Sequence, residues 1–522
     1  MSVFSGVLAG LPFQPLQLGL VSYFSLVPLL FSLSLTDNES LKKAFWLGYI
    51  QGVVSSFVIF YWIVFLPEKE VRVPGIMFPA LAALALYLSL YPAIFCLSIS
   101  ALRRRFRIPY IISAPFIWCG TEYLRSLGVI GFPWASFGYA LSPFPSLLQI
   151  ASLTGVAGLS FLIILSNTSI FHFLAEERRG IKFVFLLTLL ISILGPLAHG
   201  KNVLRRTEAG RSISVLLIQG NIGSDVKWDE RYRYKNFQKF LDLTRKGISD
   251  ARRDGKKIDL VIWPETAIPS HVRYEYSFYI AVADMLRETG IPLLSGYPDS
   301  ELDGGERHTY NAAGLFLPGL GLVEQYRKIH LVPFGERIPF QTVLTFLKKV
   351  DLGEADFSEG KDYTVFSLGG SRFGTLICFE SIFAPLARQM AVNGAEFFAN
   401  ITNDEWFGRT AAPYQHAYMA ILRTVENRIP LVRCANTGVS MAVDPYGRVL
   451  VKTGIFETSS VLAEVPLGPG KSFYREHGEY FGKACLGVLL AGILACLILR
   501  KRHPHLSPLP RGERKNKVCV PS

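Results

Sequence analysis

Charge is scarce in this chain. Only 18% of its 522 residues are Asp, Glu, Lys or Arg, while 50% are hydrophobic and 38 are Phe. A disordered or low-complexity protein is thereby excluded, since such chains are polar and poor in aromatics. An all-soluble enzyme is disfavoured too: mean hydropathy is +0.31, and so much apolar sequence calls for lipid. Paired cysteines are also missing. Cys96, Cys119, Cys378, Cys434, Cys485, Cys496 and Cys519 are scattered with no CxxC among them, so neither a zinc site nor a disulfide framework is indicated. No GxGxxG or Walker pattern opens a helix, which leaves nucleotide binding without support. No metal and no cofactor is implied.

The net charge of +13 suggests a nucleic-acid partner, but its placement argues against one. Residues 201–480 carry 34 basic against 33 acidic side chains, and the remainder carries 20 against 8. The excess lies beside apolar segments, as in a membrane protein, and not in a phosphate-binding groove.

Apolar runs of about 20 residues can span a bilayer. They occur near 16–35, 44–66, 76–101, 108–125, 146–173, 182–199 and 484–499. The shorter run Ser2–Leu11 would cover only ~15 Å as a helix. It reads as a truncated start or a re-entrant piece, and no basic stretch precedes it to make a cleaved signal. Loops on one side of these runs hold 16 Lys and Arg, and those on the other hold four. The richer side is expected in the cytoplasm. Residues 1–200 are thus expected to form a transmembrane bundle of six full spans plus a short partial first one. Residues 201–480 form a soluble domain outside the cytoplasm, 481–500 a C-terminal transmembrane helix, and 501–522 a basic, disordered cytoplasmic tail. The uncharged loop Gly131–Phe137 reads as an interfacial aromatic belt or a contact with the soluble domain; composition favours the belt.

The soluble block alternates short apolar β-branched runs with helical patterns. Strands are expected at Ile213–Gln219, Leu260–Trp263, Ile291–Ser295, Gly374–Cys378, Ala395–Thr402, Leu431–Asn436 and Ser440–Val443, with a hairpin around Pro318-Gly319. Helices are expected at Asp229–Arg253, Ala283–Thr289, Ser381–Val392 and Tyr414–Arg428. The alternation predicts an α/β domain with buried sheets and outer helices.

Three polar residues end apolar strands, where a rigid scaffold can aim them into a pocket: Glu265, Lys328 and Cys378. A strand, then Cys378, then a helix is a nucleophile elbow, and a nearby helix N-terminus is expected to lower the thiol pKa. Glu265 can serve as the base. Lys328, with the backbone N–H of Phe379, can steady a tetrahedral oxyanion. Read singly, Cys378 is a buried structural thiol, Glu265 a surface acid and Lys328 a solvated lysine.

Together, and in the phrases WPETAIP, YRKIHLVPFGE and CFE, they resemble the Glu–Lys–Cys triad of the nitrilase superfamily. With the spans, and with Gln219–Ile222, Lys227-Trp228, Asn403–Gly408 and Arg433–Gly438, residues 10–500 resemble the apolipoprotein N-acyltransferase family. The resemblance implies a multi-span α-helical membrane bundle plus an α/β extracytoplasmic domain, a nitrilase-like αββα sandwich on the periplasmic face of a bacterial inner membrane. It implies an acyl donor that is a glycerophospholipid, a Cys378 thioester, and an acceptor that is a diacylglyceryl-modified apolipoprotein. Membrane lipid is the surrounding partner, nucleic acid is not one, and the chain is expected to be a monomer. By the same resemblance Glu336 supports Lys328, Glu380 holds the elbow or caps the next helix, and Trp228, Phe334 and Trp406 touch acyl chains. Phe346 belongs to the amphipathic stretch Gln341–Phe357, read as an arm dipping into the outer leaflet. Phe379 stands where the family commonly has Tyr, so any role of that hydroxyl is absent. A membrane-tethered amidase is the second enzyme reading. A transporter ranks lowest, because Glu122 is the main ionisable residue within the spans.

Overall fold

The computed structural model describes residues 1–36, 40–66, 75–205, 210–227, 229–333, 335–337, 357–468 and 470–501. Trp228, Phe334, Phe346, nearly all of the Gln341–Phe357 stretch, and the tail from residue 502 on lie outside the described residues.

Among the described residues five helices are long and apolar enough to cross a membrane: Leu41–Phe65, Met77–Phe106, Val156–Ala175, Arg179–Arg205 and Tyr480–Ile498. The remaining apolar runs are shorter or broken. Residues 16–35 do not form one rod. A 3-10 turn, Gly19–Tyr23, is followed by a nine-residue helix, Val27–Leu35, with Pro28 in its first turn. The break leaves backbone groups that lipid cannot satisfy. Asn167, on the Val156–Ala175 helix, satisfies them: Leu26 N–H donates to its Oδ1 at 2.7 Å, and its Nδ2 donates to the Ser22 carbonyl at 2.8 Å. The run at 146–173 is also divided. Two four-residue turns precede the long helix, which starts after Gly155 at φ +66°. The 108–125 run is a 16-residue helix, Tyr110–Arg125.

Twelve strands follow among the described residues. They are β1 (Ser212–Gln219), β2 (Leu260–Ile262), β3 (Leu293–Asp303), β4 (Glu306–Leu317), β5 (Gly321–Arg327), β6 (Val365–Leu368), β7 (Ser371–Ile377), β8 (Phe397–Thr402), β9 (Leu431–Ala435), β10 (Met441–Val443), β11 (Val449–Lys452) and β12 (Ser459–Pro466). They make two six-stranded sheets, ordered β12-β1-β2-β3-β4-β5 and β11-β10-β9-β8-β7-β6. Each has a parallel centre, β1-β2-β3 or β7-β8-β9, and antiparallel flanks.

Side-chain alternation decides the layering. Ile213, Val215 and Leu217 of β1, with Leu260 and Ile262 of β2, share a core with Phe373, Leu376 and Ile401 of the other sheet. Leu216, Ile218, Val261 and Trp263 point the other way, onto Phe237, Phe240, Val282 and Leu286 of helices Glu230–Arg253 and Tyr276–Thr289. The Cys434 thiol of β9 bridges the sheets, donating to the carbonyls of Ile218 and Ile262 at 3.3 and 3.2 Å. Outside the second sheet, helix Ala412–Asn427 is almost wholly buried. It lies between the sandwich and the membrane helices, and one continuous apolar core runs from Val432 through Met419 to Trp134 and Phe13.

Candidate active site

Glu265 follows β2, Lys328 follows β5 and Cys378 follows β7, so three strand ends from two sheets deliver the three side chains. Cys378 has φ +52°, a left-handed conformation that costs a non-glycine residue energy and turns its side chain out of the strand. The next residues form a 3-10 turn, Cys378–Ile382. Glu380 ties this turn down. Its Oε2 accepts from Ile377 N–H at 2.8 Å, and its Oε1 accepts from Ile329 N–H, His330 N–H and the Tyr326 hydroxyl at 2.7, 3.0 and 2.8 Å. The same carboxylate therefore caps the turn and joins the Cys378 elbow to the backbone just after Lys328.

Lys328 is 1% exposed. Its Nζ lies 2.8 Å from Glu336 Oε1 and 3.5 Å from Glu265 Oε1. Burial alone would push the ammonium down, but Glu336, Glu265 and Cys378 outweigh it and hold it above the ordinary lysine value. Glu336 is fixed in turn, because Val332 N–H donates to its Oε2 at 2.9 Å. Glu265 accepts from Asn403 N–H at 2.8 Å.

Burial pushes the Cys378 thiol up, and Glu265 adds to the rise; Lys328 and the Thr402 hydroxyl oppose it and lose. The expected lowering by a helix N-terminus is therefore overturned. A single 3-10 turn supplies too little field to offset desolvation and an adjacent carboxylate. A thiol raised in this way needs a base to take its proton if the sulfur is to attack.

Two groups escaped the sequence reading. Asn311, on β4, donates from Nδ2 to Glu265 Oε1 at 2.7 Å and to Glu336 Oε1 at 2.9 Å. Its only signal is an amide within a buried apolar strand. The second is a buried charge network behind the elbow. Arg433 Nη2 lies 2.8 Å from Asp404 Oδ2 and 3.0 Å from His416 Nδ1, which Asp404 Oδ1 also touches at 3.0 Å. His416 Nε2 lies 3.1 Å from the Cys378 carbonyl. Burial would raise Asp404, but Arg433 and His416 hold it well below the usual carboxylate range. Asp404 and Arg433 sat inside two of the phrases quoted above, without a role.

Of the expected acyl contacts, Trp406 is described, and it is partly exposed. Its neighbour Phe407 makes the ring contacts instead, 5.1 Å from Trp62 and 6.0 Å from Trp134. The loop 131–137 is a contact with the soluble domain: Trp134 stacks on Phe379, beside Cys378.

Residues 5–169 match the model of the Apolipoprotein N-acyltransferase N-terminal domain, and residues 215–473 match that of Carbon-nitrogen hydrolase. The Apolipoprotein N-acyltransferase of Geobacter metallireducens is 37% identical over 97% of this chain and 96% of its own length. This chain belongs to the apolipoprotein N-acyltransferase family. Proteins of that name from Chlorobaculum tepidum and Pasteurella multocida are 30% and 29% identical, covering 96% and 97% of this chain and 97% of their own lengths. The two-sheet domain at 212–466 is the nitrilase-like part of the family's architecture, and the apolar helices make up its membrane part.

Proposed function

We propose that the chain moves a fatty acyl group from a glycerophospholipid, through a thioester on Cys378, to the α-amine of an S-diacylglyceryl-cysteine that begins an apolipoprotein. Cys378 Sγ attacks the ester carbonyl carbon while its proton passes to Glu265. Lys328 and the Phe379 N–H steady the oxyanion. The C–O bond breaks, and the lysolipid alkoxide leaves with the proton from Glu265. The amine then attacks the thioester carbon and yields a proton to Glu265. The C–S bond breaks, and the sulfur regains a proton. A thioester suits two separate substrates, being reactive to amines yet able to wait. Asn311 and Glu336 hold the base and the ammonium apart, Glu380 holds the elbow, and Trp406, with Trp228, Phe334 and Phe346, contacts acyl chains.

The observation that supports this reading most is the convergence of a strained Cys378 elbow with a Lys328 that is buried 3.5 Å from Glu265. The basic loops favour residues 201–480 lying on the periplasmic side, and the family resemblance favours a bacterial inner membrane, where the chain acts as a monomer. Mass spectrometry of the purified protein after incubation with phospholipid tests it. An acyl-sized mass gain on the Cys378 peptide, removed by hydroxylamine, is expected. Loading elsewhere, or none, rejects the mechanism.

A further inference from the structure

An acyl group on Cys378 would be open to two nucleophiles, the acceptor amine and water. If a water oxygen attacks the thioester carbon, the C–S bond breaks, a fatty acid leaves, and the remaining proton returns to sulfur. The transfer is then lost. Closed sites suppress such side reactions by shutting water out.

Rings from the membrane part pack on Phe379, the residue after the partly exposed Cys378. Trp134 stacks on Phe379 with 6.3 Å between ring centres and 21° between planes. Phe132 stacks on both, at 6.1 Å from Trp134 and 6.3 Å from Phe379. Trp62 closes the edge of Trp134 at 5.7 Å, and Trp134 is itself only 2% exposed.

Polar groups lock this stack. Trp134 Nε1 donates to Gln415 Oε1 at 2.8 Å, and Trp62 Nε1 reaches the same oxygen at 3.3 Å. Gln415 Nε2 donates to the carbonyls of Phe13 and Ile59 at 3.0 and 3.1 Å. Every valence of the amide is used, which fixes its orientation. The loop is pinned at both ends as well. The Arg125 carbonyl accepts from Phe132 N–H, and Glu122 Oε1 accepts from Phe137 N–H, each at 2.8 Å. Glu122, the acid that stood out among the spans, thus serves the loop.

We propose that the stack of Phe132, Trp134 and Phe379, locked by Gln415, is a water-excluding cover over the Cys378 acyl-enzyme, and that it makes this chain a transferase where an uncovered thioester would hydrolyse. The inference rests on the reading of Cys378 as the acylated nucleophile. Trp134 and Gln415 act through Phe379 and are positioning residues.

The test loads the full-length protein in detergent with a phospholipid bearing a labelled acyl chain and omits the acceptor. Acyl-Cys378 and free fatty acid are followed over time. Trp134→Ala is expected to shorten the thioester lifetime by about tenfold, with a matching release of fatty acid. Gln415→Leu should shorten it less, and Trp134→Phe, which keeps a ring and loses the N–H, least. A role only in folding would reduce loading without speeding decay. If Trp134→Ala does not fold, the other two variants carry the test. Lifetimes within about twofold of the parent in every folded variant overturn the cover, as does reduced loading with no extra fatty acid. A parent protein that never loads Cys378 overturns instead the reading beneath it.

Discussion

Lys328 leans toward Glu336, at 2.8 Å, and stands off from Glu265, at 3.5 Å. The ammonium is thereby kept charged without neutralising the carboxylate proposed as the base. Glu336→Gln keeps size and an acceptor but removes the charge, and Lys328 should then close on Glu265. A fall in kcat of about 100-fold is expected, the scale of losing one oxyanion donor, with thermal stability little changed. Glu336→Ala should also cost about 1–3 kcal/mol of stability, because it removes the oxygens that accept from Lys328, Asn311 and Val332 N–H. Acyl transfer at the parent rate in the Gln variant would remove Glu336 from the site.

Asn311 bridges the two glutamates with one amide nitrogen, at 2.7 and 2.9 Å. Asn311→Asp is nearly isosteric but replaces a donor with a third carboxylate. Like charges so close raise one another's pKa and pull Lys328 off its position. The expected loss in kcat/KM is about 100-fold or more. Comparable rates for Asp and Asn at this position would show that the bridge is dispensable.

What the sequence made legible was local. The apolar run Ile213–Gln219 and the apolar run leading into Cys378 each lie within eight residues, and both are strands in the structure. What stayed hidden depends on distant partners. β12 closes the first sheet against β1, pairing Ser212 with Pro466, and its sequence was not read as a strand. The helix break before Val27 was masked because its repair comes from Asn167, 141 residues away. The 131–137 loop was visible as aromatic, yet Phe379, the ring that receives Trp134, could be identified only once the two parts met. Asn311 looked inert because its partners lie 46 and 25 residues on either side.

Glu380 yields a stability prediction with a definite sign. Burial pushes its carboxyl up to about 7 from an ordinary 4.5, against the opposing Ile377 N–H and Lys328. Between those values the folded chain keeps a proton that the unfolded chain releases. The contribution is therefore complete below about pH 4.5, falls as pH rises to about 7, and is flat beyond, with a ceiling of about 3 kcal/mol. Burial raises Glu426 to about 7 as well, so the parent carries both slopes. Glu380→Gln should lower stability overall, because it loses acceptors for the elbow. It should also show a smaller drop in Tm between about pH 5 and about pH 8 than the parent. An equal drop in the two proteins would place the titration elsewhere.

The raised Cys378 thiol sets two rates moving in opposite directions. Burial is the main cause and Glu265 the next, so removing the Glu265 charge should make the thiolate easier to form. Alkylation by a small water-soluble electrophile follows the thiolate fraction. In the parent, the alkylation rate should keep climbing past about pH 8.5, where a free thiol levels off. Glu265→Gln should therefore be alkylated faster at neutral pH, by about tenfold for each pH unit the thiol falls. Acyl transfer should nevertheless collapse in the same protein, because no group remains to carry the proton from sulfur to the leaving alkoxide. Lys328→Met should slow both reactions, since Lys328 is the charge that opposes the rise. Were Glu265→Gln to slow alkylation and transfer alike, the Glu265 charge would not be what holds the thiol up, and Glu265 would instead be taking the Cys378 proton toward any electrophile, large or small.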